Sequence, residues 1–300
     1  MGVGHCGDDA VWLVGVTRLR YSLLILIGLS ACKVLADTNN DPGHRIIALS
    51  PHLAELVFAV GAGDRLIGVS AYTDFPEAAT KLPVVGDAFM LDLERLTVFQ
   101  PDLLLAWQGG TPAHVIDELN ARGYRVEVIR TMGLQDIPAA LRRIGALTGH
   151  STKANKEADR FVAGLDSLAN LASDAAPIRV FYQVSIRPLY TINGEHYVSQ
   201  LIEICGGRNI FAGLGKLAPL IGVEAVLERD PEVMLAGEDA GPDAFNEWER
   251  WPTMAANRYG NQFMMPAAEI SRATPRLLDA GAAICSALEE GRKSREDSNH

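Results

Sequence analysis

Two stretches of this chain, LERLTVFQPDLLLA at 93–106 and VEAVLERDPEVMLA at 223–236, share one pattern in the same ungapped register. Each has a glutamate in its second position, Glu94 or Glu224, then a proline in its ninth position and an apolar run after it. This pattern is typical of a short helix followed by a buried strand. A duplicated unit of this kind predicts two similar lobes, each presenting one carboxylate from an equivalent place.

Short apolar runs alternate with segments of helical period on both sides of these stretches. Runs such as 45–50 and 65–70 are strand candidates, and helical patterns follow them. Strands separated by helices predict βαβ units and a largely parallel sheet. We expect Ser50 and Ser151 to cap the helices that begin after them. The predicted fold class is therefore α/β, with two Rossmann-like lobes.

One long amphipathic helix is predicted between the two copies of the repeat. It covers 151–173 and would be about 33 Å long at the usual rise per residue. We expect it to be a rigid strut that joins an N-terminal lobe over 44–150 to a C-terminal lobe over 178–290.

The composition is that of an ordinary globular protein, with 300 residues, 48% hydrophobic and 21% charged. Its formal net charge of −10 makes nucleic acid a poor partner, because a surface that binds nucleic acid needs a basic stripe.

Catalytic motifs do not occur in the sequence. There is no phosphate-binding loop, no dinucleotide-binding glycine motif and no nucleophile elbow. Outside the chain ends the histidines stand apart, without the close spacing typical of a metal site: His44, His52, His114, His150 and His196. We predict neither an enzyme nor a metal site. A zinc-binding or enzymatic α/β protein is the alternative, and it would require a cluster of histidines or acids in a cleft.

The first 36 residues have the features of an export leader. Two arginines precede the apolar run 21–29, which has the length of a signal-peptide core and is too short to span a bilayer. The run ends in Leu-Ser-Ala-Cys, which resembles a bacterial lipobox with Cys32 as the lipidated residue; ordinary cleavage after Ala36 is the alternative. Either way we expect a periplasmic protein whose own membrane contact is limited to a lipid anchor.

Export to an oxidising compartment changes what the remaining cysteines are expected to do. Cys205 and Cys285 are the two that lie outside the leader. An even pair in an oxidising compartment predicts a structural disulfide in preference to a metal or redox site.

Aromatic side chains follow predicted strands in both lobes. Tyr72 follows the second strand, Trp107 ends the third, and Tyr190 follows a strand of the second lobe. The segment 268–272 follows a further strand there. Ligands of open parallel sheets bind beyond the carboxyl ends of the strands, so these residues predict a cleft between the lobes for a large, partly apolar ligand.

The chain resembles the periplasmic cobalamin-binding proteins of bacterial ABC importers, within the helical-backbone group that binds corrinoids, haem and siderophores. The matching words run in the order of that family: RIIALSPHLAELVFAVG (45–61), GVSAYTDFP (68–76), LERLTVFQPDLLLAWQGG (93–110), LIEICGGRNIF (201–211) and SRATPR (271–276). Together they extend over nearly all of 44–288.

The resemblance implies a corrinoid held between the lobes as transported ligand, with no cofactor of the protein's own. The contacts that it implies are Tyr72 and the segment Ala268, Glu269, Ile270, Ser271 and Arg272, with Trp107 and Tyr190 lining the cleft. Corrinoid binders often carry tryptophans where this chain has Ala88 and Ala218. A ferric siderophore or haem is therefore the alternative ligand.

The resemblance also implies a partner, the two-fold permease of an ABC importer. Glu94 and Glu224 fall where the family has two glutamates that dock onto permease arginines, and such pairing is directional and can be bidentate. The disulfide of the family falls on Cys205 and Cys285. We expect the protein itself to be a monomer.

Overall fold

The computed structural model describes residues 44–87 and 90–298. The expected leader, with Cys32 and both cleavage alternatives, lies outside the described residues, as does Ala88. Within the two described ranges no helix is both long enough and apolar enough to cross a bilayer.

The N-terminal lobe is a parallel sheet flanked by helices. Its elements are β1 (Ile46–Ala48), α1 (Pro51–Ala59), β2 (Leu66–Val69), α2 (Glu77–Thr80), α3 (Leu93–Phe99), β3 (Leu103–Trp107), α4 (Ala113–Ala121), β4 (Val126–Ile129) and α5 (Asp136–Leu147). The strand order is β2-β1-β3-β4, and every pairing is parallel. The central strands β1 and β3 are apolar and almost wholly buried, as expected for a parallel sheet with helices on both faces.

The C-terminal lobe repeats this arrangement. Its elements follow the connecting helix α6 (Ser151–Leu171): β5 (Ile178–Gln183), β6 (Ser185–Ile186), β7 (Leu189–Tyr190), α7 (Tyr197–Ile204), β8 (Gly207–Asn209), α8 (Val223–Arg229), β9 (Val233–Gly237), α9 (Ala255–Tyr259), β10 (Gln262–Met265), α10 (Ala267–Ile270) and α11 (Leu277–Asp297). The parallel sheet has the order β10-β9-β5-β8. In each lobe the first strand therefore lies between the second and the third, and the fourth is at the far edge.

The duplicated sequence unit is also duplicated in the structure. Helices α3 and α8 have seven residues each, and each ends at a residue with left-handed backbone, Gln100 with φ 44° and Asp230 with φ 43°. A proline and then a buried strand of five residues, β3 or β9, follow each of them. The prediction of two similar α/β lobes is confirmed.

The helix α6 joins the lobes, as predicted. It buries a stripe of Ala154, Ala158, Phe161, Leu165 and Leu168. The C-terminal helix α11 crosses it closely, because a side-chain carbon added at Gly164 would lie 2.5 Å from the side chain of Leu278.

The predicted cap at Ser50 is confirmed in position but not in its hydrogen bond, and the predicted cap at Ser151 is wrong. Ser50 occupies the position before α1, but its hydroxyl lies 2.5 Å from Nδ1 of His52 and makes no capping hydrogen bond. The cap position of α6 is His150, so Ser151 is already the first residue of the helix.

The C-terminal helix α11 extends beyond residue 290, where the sequence analysis ends the C-terminal lobe. The guanidinium of Arg292 is buried against the end of the C-terminal lobe, where it donates to the carbonyls of Ala176 and Cys205 at 2.8 Å each. These bonds attach the last turns of α11 to the lobe, and the helix continues to Asp297.

Candidate functional site

Tyr72 lies beyond the carboxyl end of β2, in the loop that leads to α2. Its backbone is left-handed, with φ 65°, and its side chain is 83% exposed. The hydroxyl of Thr73 closes the loop by donating to the carbonyl of Ser70 at 2.8 Å. A left-handed backbone costs a non-glycine residue about 1 kcal/mol, and strained residues of this kind concentrate at functional sites. Tyr72 is therefore a good candidate for ligand contact.

Trp107 ends β3 at the same edge of the sheet. Its indole ring meets the edge of the His52 ring, with centroids 5.0 Å apart. The indole Nε1 is buried and has no hydrogen-bond partner among the described residues. A buried donor without a partner costs about 1–3 kcal/mol. Trp107 thus carries an unused donor at the predicted cleft.

His52 supports this edge as a neutral side chain. Its Nδ1 faces the Ser50 hydroxyl, and its Nε2 lies 3.1 Å from the hydroxyl of Thr131. Burial, together with the positive charge of Arg272, lowers the pKa of His52 to about 3. The imidazole is therefore uncharged at neutral pH, and both of its nitrogens are occupied.

Exposed apolar side chains occupy equivalent places in the two lobes. Met90, 78% exposed, stands three residues before α3, and Leu220, 61% exposed, stands three residues before α8. Tyr190, on the β6–β7 hairpin, is 36% exposed and is bridged to Leu220. The sequence reasoning missed Met90 and Leu220, although extending the ungapped repeat by three positions upstream would have paired them.

The segment predicted to contact the ligand forms α10 and the turn after it. Ile270 is buried in the core, whereas Ala268 and Glu269 are half-buried. The exposed hydroxyl of Ser271 donates to a carbonyl of its own helix at 2.5 Å, and Glu269 pairs with an arginine of the same lobe. Arg272 points across to the N-terminal lobe.

Arg272 brings two of the predicted contact residues together. Its Nη1 donates to Oε1 of Glu55 at 2.9 Å, and its Nη2 donates to the carbonyl of Tyr72 at 3.0 Å. Both oxygens of Asp74 also accept from this guanidinium, one of them from Nη2 at 2.8 Å. Tyr72 and Arg272 are thus in direct contact, across an ion pair that joins the lobes.

Glu55 is the buried anchor of this contact, and the sequence reasoning missed it. It lies on α1 with 4% exposure, and burial raises its pKa against the opposing effects of Arg272 and Arg276. Nη1 of Arg276 lies 3.7 Å from Oε1 of Glu55, and its Nη2 donates to Glu269 at 2.5 Å. A lone carboxylate in the apolar helix PHLAELVFA was the available signal, because buried charges need partners.

The duplicated glutamates are exposed in the first turns of α3 and α8. The start of α3 lies beside the end of β2, because the Asp92 N–H donates to the Val85 carbonyl at 2.8 Å and the Val85 N–H donates to the carbonyl of Val69 at 2.9 Å. The segment before α8 lies beside the β6–β7 hairpin, where Leu220 is bridged to Tyr190. Glu94 therefore shares an edge with Tyr72, and Glu224 with Tyr190.

The predicted disulfide is confirmed: Cys205 and Cys285 are bonded and join the end of α7 to α11 across 80 positions. In the described part of the chain no three metal-ligating side chains come together, and the absence of a metal site stays a prediction.

The sequence match to a known family agrees with this architecture. A sequence model described as periplasmic binding protein matches residues 46–269, which is most of the chain. The chain belongs to the periplasmic binding protein family. The periplasmic location of that family agrees with the expected export.

Curated relatives of this periplasmic binding protein match nearly their whole length. The vitamin B12-binding protein of Vibrio parahaemolyticus is 32% identical over 257 residues, covering 85% of this chain and 93% of the relative. That of Pectobacterium atrosepticum is 33% identical over 255 residues, covering 82% and 88%.

Solved structures agree with these matches. The periplasmic vitamin B12 binding protein of Vibrio cholerae superposes with a TM-score of 0.76 at 30% identity, covering 84% of this chain and 99% of that one. A periplasmic haem-binding protein of Roseiflexus superposes with a TM-score of 0.74 at 20% identity, covering 83% and 99%. The haem binder therefore shares the fold, while the vitamin B12 binder is also similar in sequence.

Proposed function

We propose that this periplasmic binding protein is the substrate-binding component of an ABC importer and that its ligand is a corrinoid such as vitamin B12. The observation that carries the proposal is the near full-length similarity to vitamin B12-binding proteins. No feature of the site favours catalysis, and a role in capture and delivery fits a protein of this family.

The ligand would lie between the carboxyl edges of the two sheets. The lobe over 44–150 contributes Tyr72 and Met90, and the lobe over 178–290 contributes Tyr190 and Leu220. These side chains are large, apolar or aromatic, and exposed, which is the lining expected for a large, partly apolar ligand. Trp107, half-buried at the end of β3, would line the base of the same edge with its ring.

In the predicted contact segment 268–272, the four residues other than Arg272 have different roles in this proposal. Ala268 and Ser271 lie on accessible parts of α10 and its end, where they can meet the ligand directly. Ile270 is buried and Glu269 is engaged by Arg276, so these two would hold α10 in place for their neighbours.

The same surface would meet the permease. Glu94 and Glu224 lie in equivalent first turns at the carboxyl edges, so two similar lobes present two similar carboxylates. A two-fold permease offers two equivalent basic sites, and a bidentate arginine pair at each would fix the orientation of the complex. The protein would dock as a monomer, held near the membrane either by a lipid on Cys32 or by the permease alone.

A ligand panel tests the proposal. The mature protein is incubated separately with cyanocobalamin, haem and ferrichrome, filtered to remove free ligand, and examined by visible absorption. We expect cyanocobalamin to be retained at one molecule per protein. Retention of haem or ferrichrome without cyanocobalamin would show that the ligand class is wrong, and retention of none of the three would refute the binding function.

A further inference from the structure

Every terminal N–H of the Arg272 guanidinium is directed at the N-terminal lobe. Nη1 donates to Glu55 and Asp74, and Nη2 donates to Asp74 and to the carbonyl of Tyr72. An arginine has five N–H donors, so these four bonds leave only the Nε–H for any other partner. Arg272 therefore has little hydrogen-bonding capacity left for a ligand in the cleft.

We propose that Arg272 is a positioning residue that holds Tyr72 in place for the ligand, and is not itself a ligand contact. The guanidinium binds the loop 70–76 at two points, the Tyr72 carbonyl and the Asp74 carboxylate. The buried carboxylate of Glu55, on α1, holds the guanidinium in place. This inference rests on the proposed function, because the position of the Tyr72 ring matters only where a ligand meets it.

The Tyr72 loop needs such a support. The ring is 83% exposed and therefore has little packing of its own, while the backbone is left-handed. A strained conformation persists only where its surroundings over-determine it. The bond from Arg272 to the Tyr72 carbonyl acts on the strained residue itself, and the bond to Asp74 fixes the chain two positions later.

The ion pair of Arg272 with Glu55 is suited to holding the Tyr72 loop. The side chains of Arg272 and Glu55 are 15% and 3% exposed, so salt screens their attraction less than that of a surface pair. The planar arginine fork can bind Glu55, Asp74 and a carbonyl together, whereas a lysine ammonium is a single point charge. Replacement by lysine would keep the charge and lose the geometry.

A thermodynamic cycle separates positioning from direct contact. The dissociation constant of cyanocobalamin is measured by calorimetry for the wild type, for Tyr72→Ala, for Arg272→Lys and for the double variant. We expect each single change to weaken binding about tenfold and the double variant to bind no more weakly than Tyr72→Ala alone. Additive losses, about a hundredfold in the double variant, would overturn the proposal.

Two further variants supplement the cycle, one as a second test of the loop support and one as a control. Asp74→Asn removes one support of the loop from a side chain that is 57% exposed, so it leaves the core intact and should behave as Arg272→Lys does in the same cycle. Arg250 lies in the C-terminal lobe, like Arg272, but on the surface, where it is 71% exposed. Arg250→Lys should leave the affinity unchanged.

A measurement without ligand distinguishes failure of this inference from failure of the proposed function. Hydrogen exchange of the ligand-free protein should be faster across residues 71–75 in Arg272→Lys and in Asp74→Asn than in the wild type. Unchanged exchange in both variants would overturn the positioning role even if cyanocobalamin binds. If the wild type binds no cyanocobalamin, the proposed function fails, and faster exchange would still support the hold of Arg272 on the loop.

Discussion

Arg45 and Asp102 exchange two hydrogen bonds that fix the start of β1 against the start of β3. The backbone N–H of Arg45 donates to the Asp102 carboxylate at 3.0 Å, and the N–H of Asp102 donates to the Arg45 carbonyl at 2.9 Å. Arg179 and Glu232 form the same pair of bonds in the other lobe, at 2.9 Å each. The duplication therefore includes the junction of the strands as well as the helix and the strand.

The two arginines also hold the left-handed residues that end the duplicated helices. The Arg45 guanidinium donates to the carbonyl of Gln100 at 3.3 Å, and that of Arg179 donates to the carbonyl of Asp230 at 2.9 Å. The backbone is the same at both positions, but the side chains differ in their contacts. Asp230 accepts from the N–H of Ala255 at 2.8 Å, whereas the Gln100 side chain is exposed.

Glycine at these two positions should change stability in opposite directions. Gln100→Gly relieves a left-handed residue without loss of a contact and should raise the free energy of unfolding by about 1 kcal/mol. Asp230→Gly gains the same relief but leaves the Ala255 N–H without its acceptor and loses the ion pair between the Asp230 carboxylate and Nη2 of Arg179, 3.5 Å apart. A net loss of about 1 kcal/mol is therefore expected. Urea unfolding measures both, with Gln100→Ala as a control that keeps the strain. A shift in the same direction at both sites would contradict this explanation.

The stability of the protein should fall in acid because of His52. Burial lowers its pKa from 6.5 to about 3, so between these values the unfolded chain binds a proton that the folded protein excludes. The contribution of His52 therefore decreases as the pH falls from about 6.5, by up to about 1.4 kcal/mol per pH unit. Urea unfolding from about pH 4 to pH 7 should show a flatter profile for His52→Gln. His114→Gln, at an exposed position of α4, is the control, and equal slopes for all three proteins would contradict the prediction.

The paired change Glu94→Gln and Glu224→Gln should abolish docking and leave ligand binding intact. Both carboxylates are exposed in the first turns of their helices, so their loss removes charge from the surface and no core contact. The measurement is stimulation of ATP hydrolysis by the reconstituted importer, together with the dissociation constant of the ligand. Glu228→Gln, at another exposed position of α8, should behave as the wild type. A loss of ligand affinity in the double variant would assign the glutamates to the wrong surface.

The paired apolar side chains should contribute to ligand affinity from both lobes. Met90→Ser and Leu220→Ser each remove apolar surface from the proposed cleft, and each should weaken binding about tenfold. Val98→Ser is the matched control, because Val98 is 76% exposed but lies near the opposite end of α3. Equal affinities of all three variants and the wild type would place Met90 and Leu220 outside the binding site.

The sequence pattern was sufficient to predict those parts of the fold that depend on residues close together in the chain. The alternation of apolar runs with helical periods predicted both sheets and the connecting helix, and an even pair of cysteines in an exported chain predicted the disulfide. The repeat predicted α3 and α8, because helix propensity, the proline and the apolar strand recur together in 93–106 and 223–236.

Long-range contacts explain what the sequence reasoning missed. Glu55 and Arg272 are 217 positions apart, and only the packing of one lobe against the other shows that they meet. The buried bonds of Arg292 hold α11 against the lobe past residue 290, the predicted end of the lobe. Ser50 has the residue type of a cap, but its hydroxyl binds the His52 ring, which lies within reach once α1 has formed.

Isothermal titration of the mature, disulfide-bonded protein with cyanocobalamin tests the proposed function most directly. We predict saturable binding at one corrinoid per protein with a dissociation constant below about 1 µM, weakened by Tyr72→Ala and unaffected by the paired change at Glu94 and Glu224. Absence of saturable heat with cyanocobalamin, while haem or ferrichrome titrates to one equivalent, would contradict the assignment of a corrinoid as the ligand.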